Sequence, residues 1–528
     1  MRTTDTLKTN RSLKDISLEI GYTAYFRAAL LYLSIPVLIF FLGYLKIWWA
    51  LLFTALTVLA GFFILKSADK APDGTPAKTE KYTIKLDFKY LAFIIPMILL
   101  TTYIAGVSEF AFSSGDHTIR YAILHDLVNY KWPVIYDLST QQNPTVSAFL
   151  GEGEVAFAYY FVFWMVPAVV GKAAGLLAAR IVLFIWSALG IFLIAIGACM
   201  LYGKASRALY LGLILWAGFD VIPYYINTWA GIWTTWERWN QELIVVGNFY
   251  QLMNVFNQSI PGFIITILLI MAVNGTSIGF LGALMFCYSP WAAIGILPMC
   301  ICKLITKRAP GSPAAGVIKT LLTPGNLIAP IIFFISLAPF YTANSNATGD
   351  SGFTVTFYPN AFTFIKDYLM FIVIEFGVWF ALIYRFHRKD PMLLTALGTL
   401  LILPFYKITY ANDFLMRGSM APLFLISLYS VFYVTDNFHK CLGSKKFELK
   451  PRLAVLVLIA AAYTTLNLML YSSLMTVQVR LLGDTESDVA HNIESFGNIR
   501  KADEVEVINT QFFVYNYEDT VFFKYLAK

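Results

Sequence analysis

The chain has 528 residues, 58% of them hydrophobic and 13% charged, with a mean hydropathy of +0.65. Soluble domains carry roughly 45–50% apolar and about 25% charged residues. This composition, with 44 Phe, 31 Tyr and 12 Trp, therefore excludes a disordered chain and argues against a soluble multidomain enzyme, leaving an all-α polytopic membrane protein.

A helix crossing a bilayer needs about 20 mainly apolar residues. In chain order such runs lie near 25–45, 47–65, 90–107, 180–202, 208–226, 325–343, 362–384, 391–407, 419–436 and 452–475. The stretch 260–305, interrupted by Asn274-Gly275 and Ser289-Pro290, reads as three short or tilted spans, for a total of about thirteen. Some two dozen mostly polar residues precede the first run and no small-residue cleavage site follows it, the pattern of a chain without a cleavable signal peptide. The expected divisions are an N-terminal hairpin with a Lys-rich loop (1–89), a membrane core (90–475) with its first outer loop at 108–179, and a tail (476–528).

The net charge of +7 is a topology signal rather than a nucleic-acid footprint. Six basic clusters, at 2–14, 66–89, 204–207, 303–319, 385–389 and 440–452, fall on one side of the membrane if 155–176 does not cross it. That side is the cytoplasmic one. Segment 155–176, rich in aromatics, is accordingly expected as an amphipathic or re-entrant helix in the outer interface. The N-terminus is then cytoplasmic and the C-terminal tail extracytoplasmic. None of the five cysteines falls in an outer loop, and neither a disulfide nor a Cys/His metal spacing is expected.

Polar chemistry collects in three outer clusters. Loop 108–154 holds six carboxylates, Glu109, Asp116, Asp126, Asp137, Glu152 and Glu154, with two basic residues, Arg120 and Lys131, and two histidines, His117 and His125. Carboxylates at a membrane boundary are costly unless used or paired. Asp116 is placed to cap a helix over 117–129 and to face Arg120 at i+4, either as a plain interfacial cap or as a catalytic or metal-binding carboxylate. The second cluster, 220–259, has four Trp in eleven residues (Trp229, Trp233, Trp236, Trp239) around Glu237 and Arg238, which suits a sugar-binding surface or an aromatic interfacial belt. In the third, Asp413 and Arg417 at i+4 form a structural pair or present a guanidinium fork to a phosphate. The tail ends in QFFVYNYEDTVFFKYLAK, where 511–517 alternates loosely enough for a strand.

The stretch from Asp116 through Arg120, Tyr121, His125 and Asp126 to Trp132-Pro133 resembles the opening outer loop of the GT-C membrane glycosyltransferases, which include bacterial aminoarabinose and mannosyl transferases. The aromatic segment 155–176 and the following span with its basic turn are similar to that family as well. Beyond about residue 230 the chain resembles other large multi-span bacterial membrane proteins. The resemblance implies a GT-C-like all-α core with juxtamembrane helices in the first outer loop, in a bacterial inner membrane. It makes Asp116 the catalytic residue or a ligand for a divalent cation (magnesium or manganese). Where the family often has a second acid, this chain has His117.

The expected function is an inverting glycosyltransferase working at the outer face. It would move a sugar from a polyprenyl-phosphate donor to a lipid, glycan or protein acceptor. Asp116 would be the base, supported by Glu109, His117, Arg120, His125 and Asp126. Arg417 and Arg238 would hold the donor phosphate; Glu237, Trp233, Trp236 and Asp413 would hold sugar or acceptor. The rivals are a transporter or flippase, for which Glu375 and Asp367 are the mid-span acids, and a non-catalytic cell-envelope scaffold.

Overall fold

The computed structural model describes residues 17–111, 115–140, 144–232, 234–344, 351–409, 412–443, 449–483, 495–499 and 512–528. A few helical positions, Asp116 and Thr118 among them, are described in backbone only.

The chain is an all-α membrane protein with small sheets at its two ends. Its helices are α1 (Tyr22–Tyr44), α2 (Ile47–Ser67), α3 (Phe88–Ile104), α4 (Gly115–Asn129), α5 (Pro144–Leu150), α6 (Met165–Ala174), α7 (Leu176–Tyr202), α8 (Arg207–Leu215), α9 (Val221–Trp229) and α10 (Asn248–Met271). The second half adds α11 (Ile278–Tyr288), α12 (Pro290–Thr306), α13 (Pro313–Leu321), α14 (Pro324–Thr342), α15 (Ala361–Phe371), α16 (Val378–His387), α17 (Pro391–Ile402), α18 (Asp413–Gly418), α19 (Met420–Gly443) and α20 (Leu449–Thr476). Among the described residues seven helices are long and apolar enough to cross a membrane: α1, α2, α7, α10, α14, the continuous Ala361–His387 helix and Arg452–Val479. Helices α3, α11, α12 and α17 are apolar but shorter.

Helix α10 is the central one: 94% of its apolar window is buried, and it packs on α7, α11 and α19. Around it, α11 lies on α14, α14 on α2, and α19 on α20. Small residues set the closest approach. A Cβ on Gly197 of α7 would lie 2.1 Å from the Tyr25 hydroxyl, so only glycine lets that hydroxyl reach the Leu193 carbonyl, to which it donates at 3.0 Å. Tyr32, two turns on, donates to the Trp186 carbonyl across the same seam, beside Gly190.

Two expectations are corrected. Run 208–226 is not one span. It divides into α8 and α9, nine residues each, about 14 Å apiece against a hydrocarbon core of about 30 Å. The break satisfies its own backbone, as membrane depth demands: Trp216 O accepts from Asn248 N, Ala217 O from the Trp379 indole, and Phe219 N donates to Ile374 O. Segment 155–176 is not one amphipathic helix. It begins with a short strand (Glu154–Phe157), turns through 162–164, and only then forms α6.

The basic clusters within the described residues meet at one end. Arg207 donates to the Lys89 carbonyl; Lys70, Lys307 and Lys319 line one cavity, and Lys204, His387 and Lys440 another, of about 640 Å³. Here too β1 (Ser17–Ile20) pairs antiparallel with β2 (Ile84–Asp87). At the opposite end β3 (Ile135–Asp137), β4 (Glu154–Phe157) and β7 (Phe513–Val514) form an antiparallel sheet in the order β3-β4-β7. Its registers pair Tyr136 with Val155 and Phe157 with Phe513. A two-residue ribbon joins β5 (Gly352–Phe353) to β6 (Tyr406–Lys407). The tail ends against the α1–α2 corner: Lys46 N donates to Leu526 O, Lys528 N to Tyr44 O, and Phe522 packs on Phe340 and Phe40.

Candidate functional site

At the end opposite the basic clusters a cavity of about 200 Å³ is lined by Arg120, Arg238 and Arg417, by Tyr159, Tyr160, Tyr250 and Phe512, and by Asn254 and Asp413. The three guanidinium groups come from chain regions more than 100 residues apart and from different elements.

Arg120 is buried on α4, its guanidinium 6.0 Å from the centre of the Phe256 ring. His117, a turn earlier and fully buried, uses Nε2 to bond the Met253 carbonyl. Burial, then the charge of Arg120, depresses the His117 imidazole to about 3. It is therefore neutral at pH 7, and the bond to a carbonyl fixes the proton on Nε2. The reason for that bond lies in α10, whose helix is interrupted at Val255 (φ −140°, ψ 38°). Carbonyls on the N-terminal side of the break lose their helical donors. Met253 O is taken by His117, and Gln251 O by the Ser259 hydroxyl at 3.1 Å.

Arg417 sits on α18, a helix of six residues. Asn412 starts it, accepting from Leu415 N while its amide donates to the Glu242 carbonyl at 2.6 Å. The Arg417 guanidinium bonds Asp413 Oδ1 at 3.1 Å. Helix α12 fixes the height of α18, since a Cβ on Gly295 would lie 1.8 Å from Gly418 O. Arg238 is carried by a tight loop: Thr235 and Arg238 form a β-bridge and the Thr234 hydroxyl donates to Arg238 O. Trp239 anchors that loop to the membrane core by donating to Glu375 Oε1 at 2.8 Å. Glu375 lies on a π-helical turn, Ile372–Gly377, inside a spanning helix. A Cβ on Gly218 would meet both Glu375 Oε2 (2.6 Å) and Asp220 Oδ2 (2.9 Å), so two buried carboxyls pack over one glycine behind the cavity.

The remaining expected site residues are not among the described residues that line the cavity. Glu237 does not line the cavity. It is buried and accepts from Gly247 N at 2.7 Å, and burial followed by the nearness of Asp220 pushes its carboxyl well above the usual range. Its place is within the loop that carries Arg238. Trp236 packs edge-on against Tyr471, away from the cavity. Trp233 lies outside the described residues. Asp126 is fully buried and holds the end domain together: Oδ2 accepts from the Tyr136 hydroxyl (2.8 Å) and from Phe496 N (2.9 Å), and Oδ1 meets His125 Nδ1 at 2.9 Å. Glu109 forms an ion pair with Arg180. Asp116 occupies the first turn of α4, one turn before Arg120, but its side chain is outside the described set.

The aromatic lining differs from the expected Trp cluster. Tyr159 and Tyr160 stack at 4.1 Å, and Phe512 of the tail meets Tyr159 at 4.9 Å. Their sequence signals, the aromatic density of 155–164 and of 512–517, read equally well as an interfacial belt. Asp413 is the one carboxylate among the described lining residues, and Arg417 already engages it. No group of three potential metal ligands is found among the described residues, and the side chain of Asp116, the expected cation ligand, lies outside them.

What the arrangement offers is a cationic, aromatic-walled recess. Its volume is below the roughly 300–1,000 Å³ of typical small-molecule pockets, so it suits a headgroup rather than a whole lipid. No family model matches the chain, and no match is found among curated proteins or solved structures.

Proposed function

We propose that the chain is a GT-C-type membrane glycosyltransferase, inverting at the anomeric carbon. It would take a sugar from a polyprenyl-phosphate donor and give it to a lipid, glycan or protein acceptor. The observation that carries this reading is the convergence of Arg120, Arg238 and Arg417 on one aromatic-walled cavity. Guanidinium forks match phosphate oxygens in geometry and charge, and tyrosine faces stack on sugar C–H faces. In the reaction the acceptor hydroxyl attacks the anomeric carbon while the bond to the phosphate oxygen breaks. The three arginines stabilise the charge developing on the departing prenyl phosphate. Asp116, by its position one turn before Arg120, takes the hydroxyl proton. The basic end faces the cytoplasm, so transfer occurs at the outer face.

A transporter or flippase is the second reading, favoured by the interruption of α10 at Val255 and by the buried mid-span Glu375. Reconstituted vesicles loaded with a radiolabelled prenyl-phosphate sugar separate the two, since the enzyme yields a glycosylated acceptor and the transporter moves intact donor. For the enzyme, Arg417→Ala removes a charge-assisted bond worth about 1.5–3 kcal/mol, so prenyl-phosphate affinity falls roughly ten- to hundredfold. Asp116→Asn keeps that affinity and abolishes transfer. Unchanged affinity in Arg417→Ala together with normal transfer by Asp116→Asn would sink the proposal.

A further inference from the structure

A second, larger cavity lies at the basic end, where the proposed reaction makes no use of it. Its volume is about 640 Å³, within the roughly 300–1,000 Å³ of small-molecule sites. Helix α19 forms its floor: Phe432, Tyr433, Asp436, Asn437 and Lys440 fall on one helical face. Its walls are the last turns of two spanning helices, α7 with Tyr202, and Ala361–His387 with Phe386 and His387. Gly203, at φ +87°, turns the chain off α7, and Lys204 then lies over the Tyr202 ring, 5.0 Å from its centre. Ring contacts fix both walls to the floor: Tyr202 meets Phe432 at 5.3 Å, Phe386 meets Tyr433 at 5.2 Å, and His387 stacks on Tyr429 at 4.2 Å.

Two ammoniums and one carboxylate line this cavity. The carboxylate, Asp436, accepts from the Tyr202 hydroxyl at 2.5 Å, which ties α7 to α19. Lys440 stands at i+4 from Asp436 but forms no ion pair with it, and neither Lys204 nor Lys440 has an ion-pair partner among the described residues. Unpaired cations beside a concave aromatic surface complement an anion. Depth narrows the kind of anion. Tyr202 and His387 each end a spanning helix, so the cavity lies at headgroup level. Phe386 is 64% exposed there, at the height where membrane interfaces concentrate aromatics. Basic pockets between spanning helices on the cytoplasmic side suit anionic lipid headgroups.

We infer that this cavity binds an anionic phospholipid of the cytoplasmic leaflet, with Lys204 and Lys440 on the headgroup phosphate and the aromatic walls along the glycerol and the first methylenes of the chains. The inference is independent of the reaction at the outer face and needs only the orientation set by the basic clusters. A zwitterionic lipid brings its own cation, which the two lysines repel and which competes with them for the phosphate. An anionic lipid brings none, and each lysine near the surface favours it by about fivefold. A soluble phosphate ester makes the same phosphate contacts but has no chains to bury along the walls.

The test uses the full chain, delipidated in a neutral detergent, with dioleoyl phosphatidylglycerol, dioleoyl phosphatidylcholine and glycerol 1-phosphate as probes and binding read by native mass spectrometry. The wild type is expected to hold phosphatidylglycerol about tenfold or more tighter than phosphatidylcholine. Lys204→Gln and Lys440→Gln should each lower phosphatidylglycerol affinity about fivefold and together bring the two lipids within about twofold. Phosphatidylcholine binding and the thermal midpoint should not change, because both lysines are exposed. The control, Lys70→Gln with Lys319→Gln, removes the same charge from a different cavity at the same end and should keep the wild-type ratio. An equal loss in the control overturns the inference, since the general field of the basic end would then explain the preference. A wild type without that preference, or a double variant that retains it, overturns it too. Glycerol 1-phosphate held as tightly as phosphatidylglycerol would overturn the lipid assignment in favour of a soluble phosphate ester.

Discussion

His117 offers the sharpest check on how the cavity is built. It is fully buried, bonds the Met253 carbonyl at the break in α10, and has its imidazole depressed to about 3 by burial and by Arg120. In the unfolded chain the ring titrates near 6.5. The folded state is therefore neutral where the unfolded state takes up a proton. The stability this contributes is fully present above about pH 6.5 and is lost as pH falls from there toward 3, at about 1.4 kcal/mol per pH unit. Between pH 7 and pH 5 the loss is about 2 kcal/mol. His117→Gln keeps an N–H donor for Met253 O but cannot titrate. Unfolding by SDS from mixed micelles at the two pH values should show wild type losing about 2 kcal/mol more than His117→Gln. His117→Ala, which orphans the carbonyl, should cost about 1–3 kcal/mol already at pH 7. Equal pH dependence in wild type and His117→Gln would refute the assignment of a neutral Nε2–H donor.

Two further outcomes follow from the packing. Gly295→Ala would set a methyl 1.8 Å from Gly418 O, a backbone atom that can yield only by moving α18; prenyl-phosphate affinity should fall although no cavity residue has changed, and unchanged affinity would show that α12 does not position Arg417. Phe522→Ala removes a ring fully buried against Phe340 and Phe40, at a cost of about 3–5 kcal/mol; limited proteolysis should then release the C-terminal segment, and resistance equal to wild type would mean that the tail is held elsewhere.

The cavity was partly legible in advance. Arg120, Arg238, Arg417 and Asp413 stand in three polar clusters in the sequence, because charges near a membrane are too costly to scatter and collect where they are used. Which of their neighbours face inward was not legible. Glu237 and Arg238 are adjacent, yet one is buried within the loop and the other lines the cavity. Asp126 looked like Asp116 in the sequence, and the fold uses it to bind Tyr136 and Phe496. Tyr159 and Phe512 are more than 350 residues apart, and strand pairing of β4 with β7 is what brings them together.

By itself the sequence determined the membrane class, the positions of most apolar helices and the grouping of the basic residues, because hydropathy and charge act residue by residue through the cost of transfer to lipid. The tertiary structure alone decided the division of 208–226, the break at Val255 and the burial of Asp126. Each of those depends on whether a backbone or side-chain polar group finds a partner from a distant element, and such pairings exist only once the helices have packed.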